Sequence, residues 1–182
     1  MTEDHPSRRD LAVLAVAGAA LTAPAGAATL PHDPVLTLAF EVTIALGPVV
    51  DQGMIEGTQH RFVPITGGSI AGPKLTGAVL PGGGDWQQIG SDGLTRIHAR
   101  YFLRATDGAT IAIDNPGVRV ASPEIIARLT AGEDLDPRLY YFRTTPRFEA
   151  PAGPHAWLTR TIFVGQGIRH PESVVLRVFE LS

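Results

Sequence analysis

The stretch RFVPITGGSIAGPKLTGAVLPGGGDW, Arg61 to Trp86, decides how the rest of the chain is read. Its apolar segments are Phe62, Val63 and Ile65, then Leu75, Val79 and Leu80. They are broken by Gly67-Gly68, Gly72-Pro73 and Gly82-Gly83-Gly84. Glycine at that density lets backbone approach backbone, or turn with positive φ where a side chain would clash. The segments read as two strands, His60 to Ile65 and Lys74 to Leu80, with the glycine elements as turns or bulges. Phosphate binding fails on the same residues. A Walker loop needs a lysine after its last glycine, and Gly72 is followed by Pro73. Gly165-x-Gly167 meets His170 where a dinucleotide fingerprint wants glycine, and no helix follows.

Outward from this stretch the chain continues as strands. Leu36 to Leu46 (LTLAFEVTIAL) is rich in β-formers and is stopped by Gly47-Pro48; Asp51 to Gly57 reads as a loop. Thr95 to Ala105 (TRIHARYFLRA) alternates cleanly. Ile97, Ala99, Tyr101 and Leu103 share one face, and Arg96, His98, Arg100, Phe102 and Arg104 the other, which is either solvent-facing or the lining of a polar cavity. Thr106-Asp107-Gly108 signals a hairpin, Thr110 to Ile113 returns, and Asp114-Asn115-Pro116-Gly117 reads as another turn. Ser122-Pro123-Glu124 opens the one convincing helix, with Ser122 as its cap, Ile125, Ile126 and Leu129 as an apolar stripe and Gly132 as its end. Leu139 to Phe148, Ala156 to Gly165 and Val174 to Leu181 complete the strands. Many strands, short turns and one short helix predict an all-β chain built as a single antiparallel β-barrel.

Several motifs together resemble the DUF3237 family, also called UPF0311. They are PITGG, GPKLTG and LPGGGDW in the opening stretch, then Ala99-Arg100-Tyr101, Asp107-Gly108, Tyr141-Phe142-Arg143-Thr144, Phe148-Glu149 and Ala156-Trp157-Leu158. The resemblance covers roughly Leu36 to the C-terminus and implies a calycin-like β-barrel. It implies no general activity. The sequence departs from the family pattern at His155, where tyrosine is usual, and at Thr159, where asparagine is usual.

Residues 1–27 read as an export leader, leaving a barrel domain at 28–182. Ser7-Arg8-Arg9-Asp10-Leu11 resembles a twin-arginine motif, the Ala/Val/Leu run to Leu21 is too short to span a bilayer, and Ala25-Gly26-Ala27 suits a signal peptidase. The expected location is periplasmic or secreted, with the twin-arginine export machinery as the precursor's partner and no membrane span in the mature form. The chain has 182 residues, 44% hydrophobic and 18% charged, enough for one domain with a sizeable core. A formal charge of −3 without a basic cluster in the body argues against a phosphate-tracking surface and hence against nucleic acid. The chain has no cysteine, which removes disulfides, thiolate nucleophiles and thiolate metal sites. His32, His60, His98, His155 and His170 show no metal-ligand spacing, so no metal is expected, and no motif calls for a cofactor.

The chemistry-bearing residues are carboxylates and arginines beside aromatics. Gly67-Gly68-Ser69-Ile70-Ala71 lacks the closing glycine of a nucleophile elbow. Asp85, held against the Trp86 indole, reads either as a general acid or base with its ionised form disfavoured, or as a turn aspartate bonding local backbone. Arg100 and Arg143 lie mid-strand beside aromatics. Each reads either as a clamp for a ligand carboxylate or enolate, or as a surface or structural ion-pair arginine, with Glu149 or Asp107 as partner. Asp85, Arg100 and Arg143 form the catalytic set; Arg61, Trp86, Asp107, Glu149 and Trp157 are the ligand-binding candidates. Three functions remain open: a cofactor-independent lyase, isomerase or hydrolase on a small carboxylated or aromatic molecule, a non-catalytic ligand-binding barrel, and a structural or partner-binding barrel. They differ in whether Asp85, Arg100 and Arg143 converge on one open cavity.

Overall fold

The computed structural model describes residues 33–182; the expected leader lies outside them. Strand β1 (Leu36–Leu46) buries Ala39, Phe40, Val42 and Ile44. Where the sequence predicts a loop, a hairpin stands instead, with β2 (Val50–Ile55) returning as β3 (Thr58–Ala71). Its turn residues Glu56 and Gly57 have φ of 48° and 81°. Two successive left-handed residues match the twist of a two-residue hairpin, a job usually signalled by Asn or Asp rather than Glu. β3 runs straight through Gly67-Gly68, which lie at a register shift against β1. A Cβ on Gly68 would stand 1.9 Å from the Thr43 carbonyl oxygen, so only glycine lets the two strands lie this close.

The predicted strand at Lys74 to Leu80 shortens to β4 (Gly77–Val79), followed by β5 (Gly83–Ile89). β6 (Leu94–Ala105) and β7 (Thr110–Val120) form a long hairpin. β7 passes without turning through Asp114-Asn115-Pro116-Gly117, contrary to the turn those residue types suggest. Pro116 is tolerated because both its backbone groups point towards the next strand at a break: its carbonyl accepts from the Thr145 amide, and no ladder donor is asked of its nitrogen. Helix α1 (Pro123–Thr130) follows as predicted, with the Ser122 hydroxyl accepting from the Ile125 amide. The single strand predicted over Leu139 to Phe148 divides into a 3-10 turn (Pro137–Leu139), β8 (Tyr141–Thr144) and β9 (Arg147–Glu149), split by Thr145-Pro146. Ala156–Thr159 is also a 3-10 turn, so strand β10 begins later, at Ile162–Arg169, and β11 is Ser173–Leu181.

Neighbouring strands pair antiparallel in the circuit β1-β3-β5-β6-β7-β8-β10-β11 and back to β1, which closes an eight-stranded barrel with one helix. β4 bridges β3 and β6 beyond the end of β5, and β9 continues on β7 beyond the end of β8. Inside lie two apolar clusters. The larger holds Phe40, Ile44, Ile65, Tyr101, Leu103, Ile113, Phe163 and Leu176, among others. The smaller brings Ile126 and Leu129 of α1 against Ile89, Ile97, Tyr140 and Phe142. Among the described residues, no helix is long and apolar enough to cross a membrane.

Candidate active site

The six buried polar side chains of the described barrel are Arg61, Gln87, Thr95, Asn115, Arg119 and Thr144. Strand register gathers them. Arg61 pairs with Gln87, Thr95 with Arg119, and Gly117 with Thr144; Asp85 and Asn115 both pair with Ala99. All point inward, because side chains two apart on a strand share a face. On β5 that face is Asp85, Gln87 and Ile89; on β7 it is Ile111, Ile113, Asn115 and Arg119.

The result is a polar layer where the two apolar clusters meet. A cavity of about 30 Å³ lies there, walled by Ile44, Ile65, Ile97 and Phe142 and edged by Asp85, Asn115 and Thr144. That volume suits a water molecule or a small functional group. Asp85 is fixed from two sides: Gln87 Nε2 donates to its Oδ2 at 2.5 Å, and the His98 amide to its Oδ1 at 3.2 Å. Gln87 is held in turn by Arg61, whose Nε donates to Gln87 Oε1 at 2.8 Å. Arg61 and Gln87 also line a cleft of about 450 Å³ with His60, Trp86, Arg96 and His98. The Gln87 side chain therefore stands between an outer cleft and the inner carboxyl.

Burial pushes the Asp85 carboxyl above its ordinary range. The bonds from Gln87 and the His98 amide, and the charges of Arg119 and Arg61, pull the other way and only partly offset it. Burial likewise lowers Arg61 and Arg169, and brings Arg119 down to about 10, helped by the like charges of Arg61 and Arg169. Burial, with Asp85 adding to it, pushes the Tyr101 phenol up. Several polar atoms here have no hydrogen-bond partner: Thr95 Oγ1, Tyr101 OH, Asn115 Oδ1, Thr144 Oγ1, and Nε and Nη2 of Arg119. Leaving such groups unmet costs about 1–3 kcal/mol each.

The structure brings Asp85 and Arg61 together inside, and separates them from Arg100 and Arg143. Arg100 is on the outer face, its side chain 66% exposed, with Nε 3.2 Å from Asp114 Oδ1, an oxygen that His98 Nε2 also reaches at 2.6 Å. Its face of β6 is the solvent face, the first of the two readings the sequence offered. Arg143 also points outward, because Phe142 and Thr144 on either side take the inner positions. Its guanidinium lies 5.0 Å from the Tyr141 ring centre, and its Nη1 donates to the Phe142 carbonyl. Convergence of Asp85, Arg100 and Arg143 on one cavity is therefore not found. Trp86, Arg100 and Glu149 instead share an outer groove of about 560 Å³ with Phe102 and Asp114. Trp86 leans on Phe62, ring centres 4.9 Å apart. Asp107 is an exposed turn residue paired with His155 at 2.9 Å. Trp157 packs edge-on to Phe40 and Phe163 against the larger cluster, with Lys74 over its ring. The sequence reading missed Gln87, Asn115, Arg119 and Thr144. The signal for two of them was the two-residue period Ile111-Ile113-Asn115-Gly117-Arg119, which continues unbroken through Pro116.

A family model described as "Protein of unknown function (DUF3237)" matches residues 34–181. The chain belongs to the DUF3237 family. A UPF0311 protein of Rhodopseudomonas palustris (strain TIE-1) is 37% identical over 142 residues, 78% of this chain and 93% of that one. The crystal structure of a conserved protein of unknown function from Rhodopseudomonas palustris matches with a TM-score of 0.80 at 35% identity, covering 83% of this chain and 99% of the other. A β-barrel-like protein of Acinetobacter baumannii matches with a TM-score of 0.74 at 34% identity over 85% of this chain and all of its own. A more distant relative, a hydroalkoxylation enzyme of Penicillium herquei, is 32% identical over 83 residues, 46% of this chain and 55% of that protein. DUF3237 thus spans uncharacterised barrels, with an enzyme as a distant relative.

Proposed function

We propose that the protein is a cofactor-independent enzyme that moves a proton on a small unsaturated or aromatic molecule, with Asp85 as its acid–base group. The observation that carries this reading is a carboxyl whose protonated form is favoured by burial, set among arginines and unpartnered donors. A carboxyl whose protonated form is favoured by burial can give up a proton and take one back. Arg61 and Arg119 supply positive charge where an oxyanion develops. The substrate's body rests in the cleft beside Trp86 and His98, and only its reacting part passes Gln87.

The Penicillium relative supports one reaction of this class. Hydroalkoxylation adds an O–H bond across a carbon–carbon double bond. Asp85 gives its proton to one alkene carbon, the substrate hydroxyl oxygen bonds the other, and the hydroxyl proton returns to the carboxylate. Nothing is oxidised, and the acid is restored. The test is incubation with a panel of ortho-alkenyl phenols in D₂O. Cyclic ether carrying one deuterium on carbon is expected, and Asp85→Asn should lower its rate by roughly 10²–10⁴-fold. A folded Asp85→Asn protein with wild-type turnover overturns the acid–base role. A folded wild type that binds panel members without converting any favours a ligand-holding barrel.

Export through the twin-arginine route belongs to the same proposal and is supported by Arg8-Arg9, the short apolar run and Ala25-Gly26-Ala27. Replacing Arg8 and Arg9 by lysine should retain precursor in the cytoplasm, read by N-terminal sequencing of fractionated cells. Unchanged export rules that route out.

A further inference from the structure

Arg119 is 1% exposed and feels two neighbouring cations, Arg61 and Arg169, against the Asp85 carboxyl and the Tyr140 phenol. Burial favours the neutral form of that carboxyl. The other two arginines have partners: Arg61 Nε donates to Gln87, and Arg169 Nη1 to the Ser173 carbonyl. Arg119 has neither Nε nor Nη2 engaged. These two nitrogens form one edge of the guanidinium, with their N–H bonds parallel. That edge matches the two oxygens of a carboxylate, or a single spherical anion seated between the hydrogens.

We propose that this free edge of Arg119 is a specific site for one monovalent anionic group, a carboxylate or a halide. The inference deepens the reading of the polar layer as the active site and rests on it. The neighbouring side chains do not suffice as partners. A buried cation with two unmet donors is strongly disfavoured unless an anion meets it. Asp85 is not that partner: its oxygens accept from Gln87 and the His98 amide, and neither bonds the Arg119 guanidinium. Asn115 and Thr144 edge the small inner cavity, and the unpartnered Thr144 hydroxyl can donate to an anion. A substrate would therefore carry a carboxylate, or generate a phenolate, that meets Arg119 while another of its atoms exchanges a proton with Asp85.

The test uses the full chain in a buffer whose counter-ion is gluconate, too large to enter. Chloride, formate and benzoate are each titrated at constant ionic strength while the melting temperature is followed, and crystals are grown with bromide. A saturable rise is expected, with an anomalous bromide peak at the Arg119 guanidinium. Arg119→Gln should weaken binding on the order of 30-fold or more. Saturation by chloride but not by formate or benzoate assigns the site to a free ion. Saturation by the carboxylates assigns it to a substrate group. No saturable rise and no bromide peak in folded wild-type protein overturns the site, and this result needs no variant to fold. Asp85→Asn separates the two readings: it should keep anion binding while losing turnover. If turnover is lost on Asp85→Asn but no anion binds the wild type, the acid–base proposal stands without the anion site.

Discussion

Beside two arginines, a carboxyl is ordinarily held ionised, yet at Asp85 burial outweighs them, and the shift is upward. The reason is that no guanidinium bonds it directly. The hydrogen bonds that reach Asp85 come from an amide side chain and a backbone amide, not from a guanidinium. The arginines act only through space, while the loss of water acts directly on the charged form. Stability is then linked to pH with a definite sign. A carboxyl whose pKa is higher folded than unfolded contributes stability fully below the unfolded value, near pH 4. That contribution is lost as pH rises through the folded value. Asp85→Asn removes the titration and leaves a fixed change from the altered hydrogen bonds. The stability of Asp85→Asn relative to wild type should therefore rise with pH above about 4 and then level off, measured by urea unfolding at a series of pH values. A difference that stays constant across that range would show that burial does not dominate at this residue.

At the scale of strands, the site depends on how closely β7 and β8 approach. A Cβ on Gly117 would lie 2.5 Å from Thr144 Cγ2 and 2.6 Å from the Arg143 carbonyl oxygen, so the strands would have to part. Gly117→Ala should cost about 1–3 kcal/mol as an overpacked contact. It should also disturb the neighbouring Asn115 and Arg119, weakening ligand binding in proportion. Gly108, at φ 91°, is the control, since a Cβ there would meet nothing within 4 Å. Gly108→Ala should cost only backbone strain, about 1 kcal/mol, and leave binding unchanged. Denaturant unfolding and a binding titration on both variants check this. The same strand shows what the sequence made legible. The alternation of β6 was plain because basic and less polar residues trade places at every step from Arg96 to Tyr101. On β7 the inner face changes from isoleucine to Asn115 and Arg119, and the outer face carries Asp114 and Pro116. Residues chosen for a buried polar layer are the same types that make turns, so local reading ended the strand early. Arg61 and Asp85 were found because they lie within the glycine-rich stretch. Arg100 and Arg143 were drawn in by their aromatic neighbours, but alternation along a closed wall places them outside.

Across the whole molecule, closure joins the first strand to the last, since β1 pairs with β11 along most of its length. The β6–β7 hairpin, by contrast, is local and pairs residue by residue from Leu94–Val120 to Arg104–Thr110. Bringing distant segments together costs loop-closure entropy before any contact repays it, so local hairpins form early and the closing seam late. Leu103 is fully buried in the hairpin opposite Ile111, and Ile44 is buried on β1 opposite Val174. Leu103→Ala and Ile44→Ala should each lower stability by about 2–5 kcal/mol, because each opens a cavity in the packed interior. Their kinetics should differ. An interaction already formed at the barrier shows its loss in the folding rate, and one formed afterwards shows it in the unfolding rate. Stopped-flow refolding and unfolding in denaturant should find Leu103→Ala folding more slowly, and Ile44→Ala unfolding faster with its folding rate nearly unchanged. The opposite assignment would mean that the seam forms first, and that the polar layer is enclosed before the hairpin carrying Asn115 and Arg119 has settled.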